Sequence, residues 1–285
     1  MVLSIIGVII VSIIALSVFN FILSIHPPKL GEKRTPEVFN LKYEDVSFKT
    51  SDGLTLRGWF IPSNHSKAVI IVGHGYPFSK SDVLSFAPFL HKRYNLLFFD
   101  FRYFGDSDGR YTTVGWKEQK DLLAAVSYLK TRKDIDPNKI GSLGFSLSAS
   151  TMLMTKSDIK AIVADSPYAN LDNMIEQSYR IFPGFTKLPF TFITKILAKI
   201  VLGLDTKEVS SENSIKNLGV PVLLIHGEKD SQIPVENSKT LYEASNKSLT
   251  ELWLVKGADH GYSHALNTEE YEKKVLDFFD KHLGV

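Results

Sequence analysis

No cysteine occurs in the 285 residues, which excludes disulfides, thiolate nucleophiles and Cys-ligated metals, and leaves the redox compartment undetermined. Excess charge of one sign is also missing. The 33 Lys and Arg against 31 Asp and Glu give a formal net charge of +2. No strongly basic block stands out, so nothing here calls for nucleic acid as a partner. Internal repeats and low-complexity tracts are absent too. With 44% hydrophobic and 22% charged residues, the chain suits a globular protein with a substantial core, in one large domain or two small ones.

The amino end is a long apolar run. Val2 to Ile25 is almost unbroken Val, Ile, Leu and Phe, and no charged side chain interrupts it. At about 1.5 Å per residue it can cross a hydrocarbon core of about 30 Å. A cleaved signal peptide wants a basic n-region, a shorter apolar core and a small-x-small cleavage site, none of them clear here. A buried core helix seldom lacks charge on every face. Residues 1–26 therefore read as a single-pass transmembrane anchor, with residues 2–25 facing the lipid bilayer, and residues 27–42 as a linker. Lys29, Lys33 and Arg34, opposed by Glu32, follow the run, while only the amino terminus precedes it. The positive-inside rule then puts the soluble part in the cytoplasm. His26-Pro27-Pro28 ends the helix, because proline removes backbone donors and restricts the residue before it.

Residues 45–50 and 54–61 alternate apolar side chains around Ser51-Asp52-Gly53 and predict a hairpin. Apolar runs over 67–72, 96–99, 140–145, 161–164, 220–225 and 252–255 predict further strands, the unbroken ones buried on both faces. Helices are predicted over 80–92, 116–132 (Leu122, Leu123, Val126 and Leu129 on one face), 235–245 and 268–283. The alternation predicts a mainly parallel, twisted α/β sheet led by an antiparallel hairpin, with helices on both faces. In such sheets ligands bind at the carboxyl ends of the strands.

Each strand end can therefore be asked what it delivers. Gly144-Phe145-Ser146-Leu147-Ser148 stands between a strand-like run and small, helix-compatible residues, the outline of a nucleophile elbow in which Ser148 replaces the usual last glycine. Gly73-His74-Gly75-Tyr76-Pro77 can turn a backbone N–H toward a developing oxyanion. Pro77 has no N–H, so Tyr76 is the favoured donor over Gly75, with the N–H of Leu147 as the second. His74 reads as a structural residue orienting that loop. The loop from Asp100 to Gly109 reads as structural, Asp100 and Arg102 forming an internal hydrogen-bonding device. Asp230 lies between Gly227 and Pro234 on a loop that can hold a carboxylate at the sheet's end, with Asp165 in reserve. His260 sits among small residues after the last strand, where an imidazole can reach both a carboxylate and a serine. Asp259 and His264 read as solvated neighbours, and His65, His91 and His282 as surface. The order Ser146, Asp230, His260 is that of α/β-hydrolases and differs from the chymotrypsin and subtilisin orders.

From about Tyr43 to Leu283 the chain resembles the α/β-hydrolase superfamily. More narrowly it is similar to membrane-anchored serine hydrolases of the prolyl-oligopeptidase and serine-aminopeptidase branches. The residues carrying the resemblance are Ser51-Asp52-Gly53 with Leu56 and Trp59, His74-Gly75, Asp100, Arg102, Gly105, Ser107, Gly109, Asp136-Pro137 and Gly144-Phe145-Ser146. Asp165-Ser166-Pro167, Ile225-His226-Gly227 through Asp230 and Pro234, His260, and the post-anchor His26-Pro27-Pro28 with Thr35-Pro36 also match. The resemblance implies Ser146 as nucleophile, Asp230 as its charge partner and His260 as base, with no metal or organic cofactor. Ser148 departs from it by putting a hydroxyl where closest packing is usual. Residues 43–285 then form a hydrolase domain with a cap inserted over about 168–217. Within that cap, residues 189–204 predict a helix with Thr191, Lys195 and Lys199 on one face, able to line an acyl pocket, lie on a membrane surface or cover the core. The expected reaction is hydrolysis of a carboxylic ester on a small, apolar or lipid-like acyl substrate. A peptidase or amidase is the alternative, and a membrane-tethered binding protein without turnover the alternative of another class.

Overall fold

The computed structural model describes residues 2–29, 34–64, 66–182 and 184–284. Glu32 and Lys33, which enter the charge flank after the apolar run, and His65, read above as surface, lie outside the described residues. The apolar run is one helix, α1 (Val2–Ile25), ending where His26-Pro27-Pro28 begins. It is the one helix among the described residues long and apolar enough to cross a membrane, a property that signal sequences share. Of its side chains only Ser17, Phe21 and Ile25 are buried.

The hairpin forms as β1 (Glu44–Lys49) against β2 (Thr55–Ile61), with Val46 opposite Gly58 and Phe48 opposite Leu56. Gly53 turns it at a φ of 89°, open to glycine at little steric cost. Among the described residues six further strands follow: β3 (Val69–Gly73), β4 (Asn95–Phe99), β5 (Ile140–Phe145), β6 (Ala161–Asp165), β7 (Val222–Gly227) and β8 (Thr250–Val255). They are parallel to one another, while β2 joins β4 antiparallel, in the order β1-β2-β4-β3-β5-β6-β7-β8. From β3 the chain steps outward to β4 and then returns to the far side of β3 for β5, so the order reverses beside β5. A crevice at the carboxyl end of the sheet belongs at such a reversal.

The pleat explains the unbroken apolar runs. Val69 and Ile71 enter one core layer, with Leu122, Val126 and Leu129 of α2 (Glu118–Thr131) and Leu153 of α3 (Leu147–Met154). Ile70 and Val72 enter the opposite layer, with Tyr271, Val275 and Phe279 of the last helix (Thr268–Leu283). Alternate side chains leave opposite faces of a strand, so a strand covered on both sides needs apolar residues at every position.

Three local expectations are corrected. Residues 80–92 form two short 3-10 segments, Asp82–Ser85 and Pro88–Lys92, instead of one helix. Pro88 lacks an N–H and disfavours a helical Ala87, which takes φ −120°. Leu123 is exposed, and Ala125 replaces it on the buried face with Leu122, Val126 and Leu129. Asp100 and Arg102 do not pair with each other. Asp100 meets Lys80 Nζ at 2.5 Å, while Arg102 holds Asp121 at 2.6 Å and Asp52 at 2.9 Å.

Between β6 and β7 run α4 (Leu171–Ser178), α5 (Leu188–Leu197) continued by a π-turn over Ala198–Leu202, and α6 (Ser211–Ile215). The three residues predicted to share a face of α5 have separate environments. Thr191 is buried, Lys195 pairs with Asp172 at 3.0 Å and Glu176 at 3.4 Å, and Lys199 is exposed beyond the point where the helix unwinds to the π-turn. The remaining helices are α7 (Glu236–Ala244), α8 (Ser263–Leu266) and α9 (Thr268–Leu283).

Arg102 and Asp121 are both almost fully buried, so removing the cation strands a carboxylate in the core. Arg102→Met is expected to lower stability by about 3–5 kcal/mol, read by urea unfolding of the full chain in detergent. A loss below about 1 kcal/mol, the range of exposed pairs, would contradict the assignment.

Candidate active site

The turn from β5 into α3 is tight. Ser146 has φ 55° and ψ −109°, a conformation that L-residues rarely adopt. Its N–H donates to the Asp165 carbonyl at 2.8 Å, and its own carbonyl accepts from Ser150 N at 3.1 Å, so both neighbouring strand and following helix hold it. Two glycines make the approach possible. A Cβ at Gly144 would lie 2.6 Å from Ala149 N, and one at Gly73 would lie 2.5 Å from Ser148 Cβ. Ser148 therefore occupies space that Gly73 leaves open. Its hydroxyl accepts from Phe145 N at 2.8 Å and donates to the Phe145 carbonyl at 3.0 Å, stapling the elbow's own backbone.

Two loops from β7 and β8 converge on Ser146. His260 Nε2 stands 3.2 Å from Ser146 Oγ, and its Nδ1 stands 2.7 Å from Asp230 Oδ2. Asp230 Oδ1 accepts from the N–H groups of Gln232 at 3.0 Å and Ile233 at 2.7 Å, which fixes the carboxylate's orientation. Burial opposes its ionisation, but hydrogen bonds from His226 and His260 prevail and hold it well below the usual carboxylate range. An ionised Asp230 can only accept, so Nδ1 of His260 carries the proton and Nε2 is left to accept from the serine hydroxyl.

Two residues beyond those expected complete this arrangement. His226, fully buried at the end of β7, approaches Asp230 Oδ2 at 3.3 Å, with its other nitrogen 2.6 Å from Ser238 Oγ. Its signal in the sequence was a histidine at a strand's carboxyl end, four residues before Asp230. Asp259 is exposed, yet its carboxylate accepts from Ser231 N and His260 N, both at 2.7 Å, so it ties the loop carrying Asp230 to the loop carrying His260. Those two N–H groups hold it below the usual carboxylate range.

The reserve acid falls elsewhere. Asp165 bonds Ser166 Oγ at 3.0 Å and Tyr271 at 3.1 Å, away from His260, and complete burial raises its pKa. His264 lies stacked on Phe89 with Tyr271 edge-on, so it is packed and not solvated. His91 and His282 are half-buried, His91 against the Pro62 carbonyl at 2.8 Å and His282 against Phe278.

The loop after β3 lies against the serine: a Cβ at Gly75 would come within 3.3 Å of Ser146 Cβ. Among the described residues, the N–H groups of Tyr76 and Leu147 donate to no protein acceptor. His74 is buried beneath this loop, accepting from Phe101 N at 3.0 Å and facing the Gly75 carbonyl at 2.8 Å. Acceptance at Nε2 assigns the proton to Nδ1, a neutral imidazole serving as a strut. The Tyr76 hydroxyl, pushed up to about 12 by burial and the neighbouring Tyr103, lies 3.5 Å from the Leu23 carbonyl of α1. Among the described residues no group of three or more His, Asp or Glu side chains is arranged to hold a metal ion.

Sheet order, connection pattern and the serine turn after β5 define an α/β-hydrolase, and the protein is a serine hydrolase. Residues 108–285 match the prolyl oligopeptidase family, and the chain belongs to that family. It is 31% identical to the Pyrococcus furiosus esterase Pf2001, with a TM-score of 0.75 over 91% of this chain and 98% of that one. It is 29% identical to the Bacillus subtilis protein YqkD over 80% of this chain and 76% of the relative. The Pyrococcus horikoshii acylaminoacyl peptidase shares the fold, with 18% identity and a TM-score of 0.65 over 88% of this chain and 44% of its own.

Burial lowers the His74 pKa from 6.5, so the unfolded chain binds the proton more readily. The stability His74 contributes is complete above about pH 6.5 and declines as the pH falls below it. The gap in unfolding free energy between wild type and His74→Gln should therefore narrow from pH 7 to pH 5. A gap that stays constant or widens would contradict a neutral strut. Independently, Gly73→Ala should cost about 1–3 kcal/mol by overpacking against Ser148, and adding Ser148→Gly should recover part of that loss.

Proposed function

We propose that Ser146, His260 and Asp230 act as nucleophile, general base and charge partner in hydrolysis of a carboxylic ester. The observation that carries this reading is the continuous hydrogen-bond path from Ser146 Oγ through His260 to the ionised Asp230. Ser146 attacks the acyl carbon as His260 Nε2 takes its proton, and Asp230 stabilises the imidazolium and fixes its tautomer. The N–H groups of Tyr76 and Leu147 receive the oxyanion, since among the described residues neither donates to a protein acceptor. His260 returns the proton to the leaving alcohol. Water, deprotonated by His260, then attacks the acyl-enzyme, releasing the acid and restoring Ser146. This sequence needs no cofactor.

The likeness to the Pyrococcus furiosus esterase supports an ester substrate. An apolar or lipid-like acyl group is supported by α1, whose Leu23 carbonyl borders the oxyanion-loop residue Tyr76. Family membership supports an amidase or peptidase as the second reading, because the same triad cleaves both bond types. The apolar helix serves as a membrane anchor in this reading, and the basic residues after it favour a cytoplasmic hydrolase domain.

Turnover of p-nitrophenyl esters should rise with acyl length through medium chains and exceed that of aminoacyl amides. Activity confined to amides would overturn the ester reading. Asp230→Asn should lower kcat by about 10⁴-fold with the fold intact, measured on the best ester. Protease added to intact cells should leave the hydrolase domain uncut, and cleavage from outside would reverse its assigned side.

A further inference from the structure

We propose that α5 lies within one leaflet of the bilayer beside α1, so that the cap over the site is itself a membrane-embedded element. This rests on the reading of α1 as a membrane anchor and goes beyond it. The two helices pack together, Phe21 and Ile25 of α1 sharing one apolar cluster with Ala198 and Leu202 at the end of α5. Ser17 of α1 and Ala198 at the end of α5 are buried, small residues of the kind that let helix backbones approach closely, as at membrane helix interfaces.

Depth follows from helix geometry. Phe21 and Ser17 lie about 6 Å and 12 Å back along the axis from Ile25, at about 1.5 Å per residue. Half of a hydrocarbon core spans about 15 Å. If α1 occupies that core, whatever packs on its Ser17–Phe21 face occupies the same leaflet.

The outward side of α5 fits that environment. Phe192, Ile196 and Ile200 recur at helical spacing and are exposed, and Ile181, Phe185 and Leu188 extend the patch before them. Phe185 and Ile200 are 81% and 76% accessible, large apolar side chains left uncovered as at an interaction site. On the neighbouring α1, Phe19, Ile22 and Leu23 are exposed as well. The charge within α5 is directed away, Lys195 being paired with Asp172 and Glu176 on α4. Lys199 carries a stem long enough for its ammonium to reach the headgroups. From Leu188 to Leu202 the backbone is helical, so its interior N–H and C=O groups are paired within the segment, as lipid requires. Hydrocarbon of the bilayer is therefore the occupant that this face takes. Because the cap's Arg180 guanidinium bonds the Ser231 carbonyl beside Asp230, embedding α5 brings the catalytic loops to the membrane surface, where a lipid-derived acyl ester can enter without crossing water.

The cysteine-free chain allows one reporter at a time. Full-length Phe192→Cys, Ile200→Cys, Ile9→Cys and Lys273→Cys would be labelled with an environment-sensitive nitrobenzoxadiazole group. Each would be reconstituted in phosphatidylcholine–phosphatidylglycerol liposomes with and without brominated acyl chains. The expected result is blue-shifted emission and bromine quenching at 192 and 200 as at 9, with 273 on α9 neither shifted nor quenched. Quenching at 9 but not at 192 or 200 would overturn the embedding of α5 and leave the anchor standing. No quenching at 9, 192 or 200 would overturn both. A blue shift at 192 and 200 without bromine quenching would mean that a second copy or another protein covers the face, overturning the lipid assignment.

Discussion

The backbone of Ser146 is held in a conformation that its own side chain disfavours, and the surrounding structure is arranged to hold it there. Strand β5 ends, the chain reverses and α3 begins within one residue, so β3, β5 and α3 must come closer than side chains ordinarily permit. Gly73 and Gly144 supply that closeness, and the Asp165 carbonyl on β6 takes the Ser146 N–H. The strain, on the order of 1–3 kcal/mol for such a residue, is offset by burial of both faces of the sheet. Its consequence is chemical: the serine Oγ is lifted out of the β5–α3 packing to where His260 reaches it.

Asp230 and His260 depend on the same sheet from its other side. β7 and β8 run parallel and in register, His226 beside Leu254 and Gly227 beside Val255. The loops that follow them therefore leave the sheet together. Asp230 then collects two backbone N–H groups, His226 and His260, and Asp259 fastens the two loops at the surface. A carboxylate so well supplied with donors stays ionised where burial alone would neutralise it. Orientation of the imidazole is the product of this network and not of the Asp230–His260 contact alone.

The strands, and the meeting of Ser146, Asp230 and His260, were legible because they depend on short-range signals: unbroken apolar runs, glycines at strand ends and the chain order of those three residues. Helix α9 was legible to the residue, since its amphipathic period is uninterrupted. What escaped depends on distant partners. Nothing local in Asp100 and Arg102 says that one will meet Lys80 and the other Asp121 and Asp52. His226 and Asp259 looked like loop residues because their partners lie on a neighbouring turn. Ser148 looked like a blemish at the elbow. Its space is provided by Gly73, more than seventy positions earlier, which no reading of the five-residue motif reveals.

Two parts of the domain meet α1: the Tyr76 hydroxyl reaches the Leu23 carbonyl, and Ala198 and Leu202 after α5 share an apolar cluster with Phe21 and Ile25. Chemistry at Ser146 is the claim on which the rest of the functional account stands. The most direct measurement is peptide mapping by mass spectrometry after reaction of the folded full chain with an alkyl fluorophosphonate. With Ser146 as nucleophile, one adduct forms, on Ser146, and it is lost in His260→Ala. An unmodified Ser146, or an adduct on another serine, would contradict that assignment.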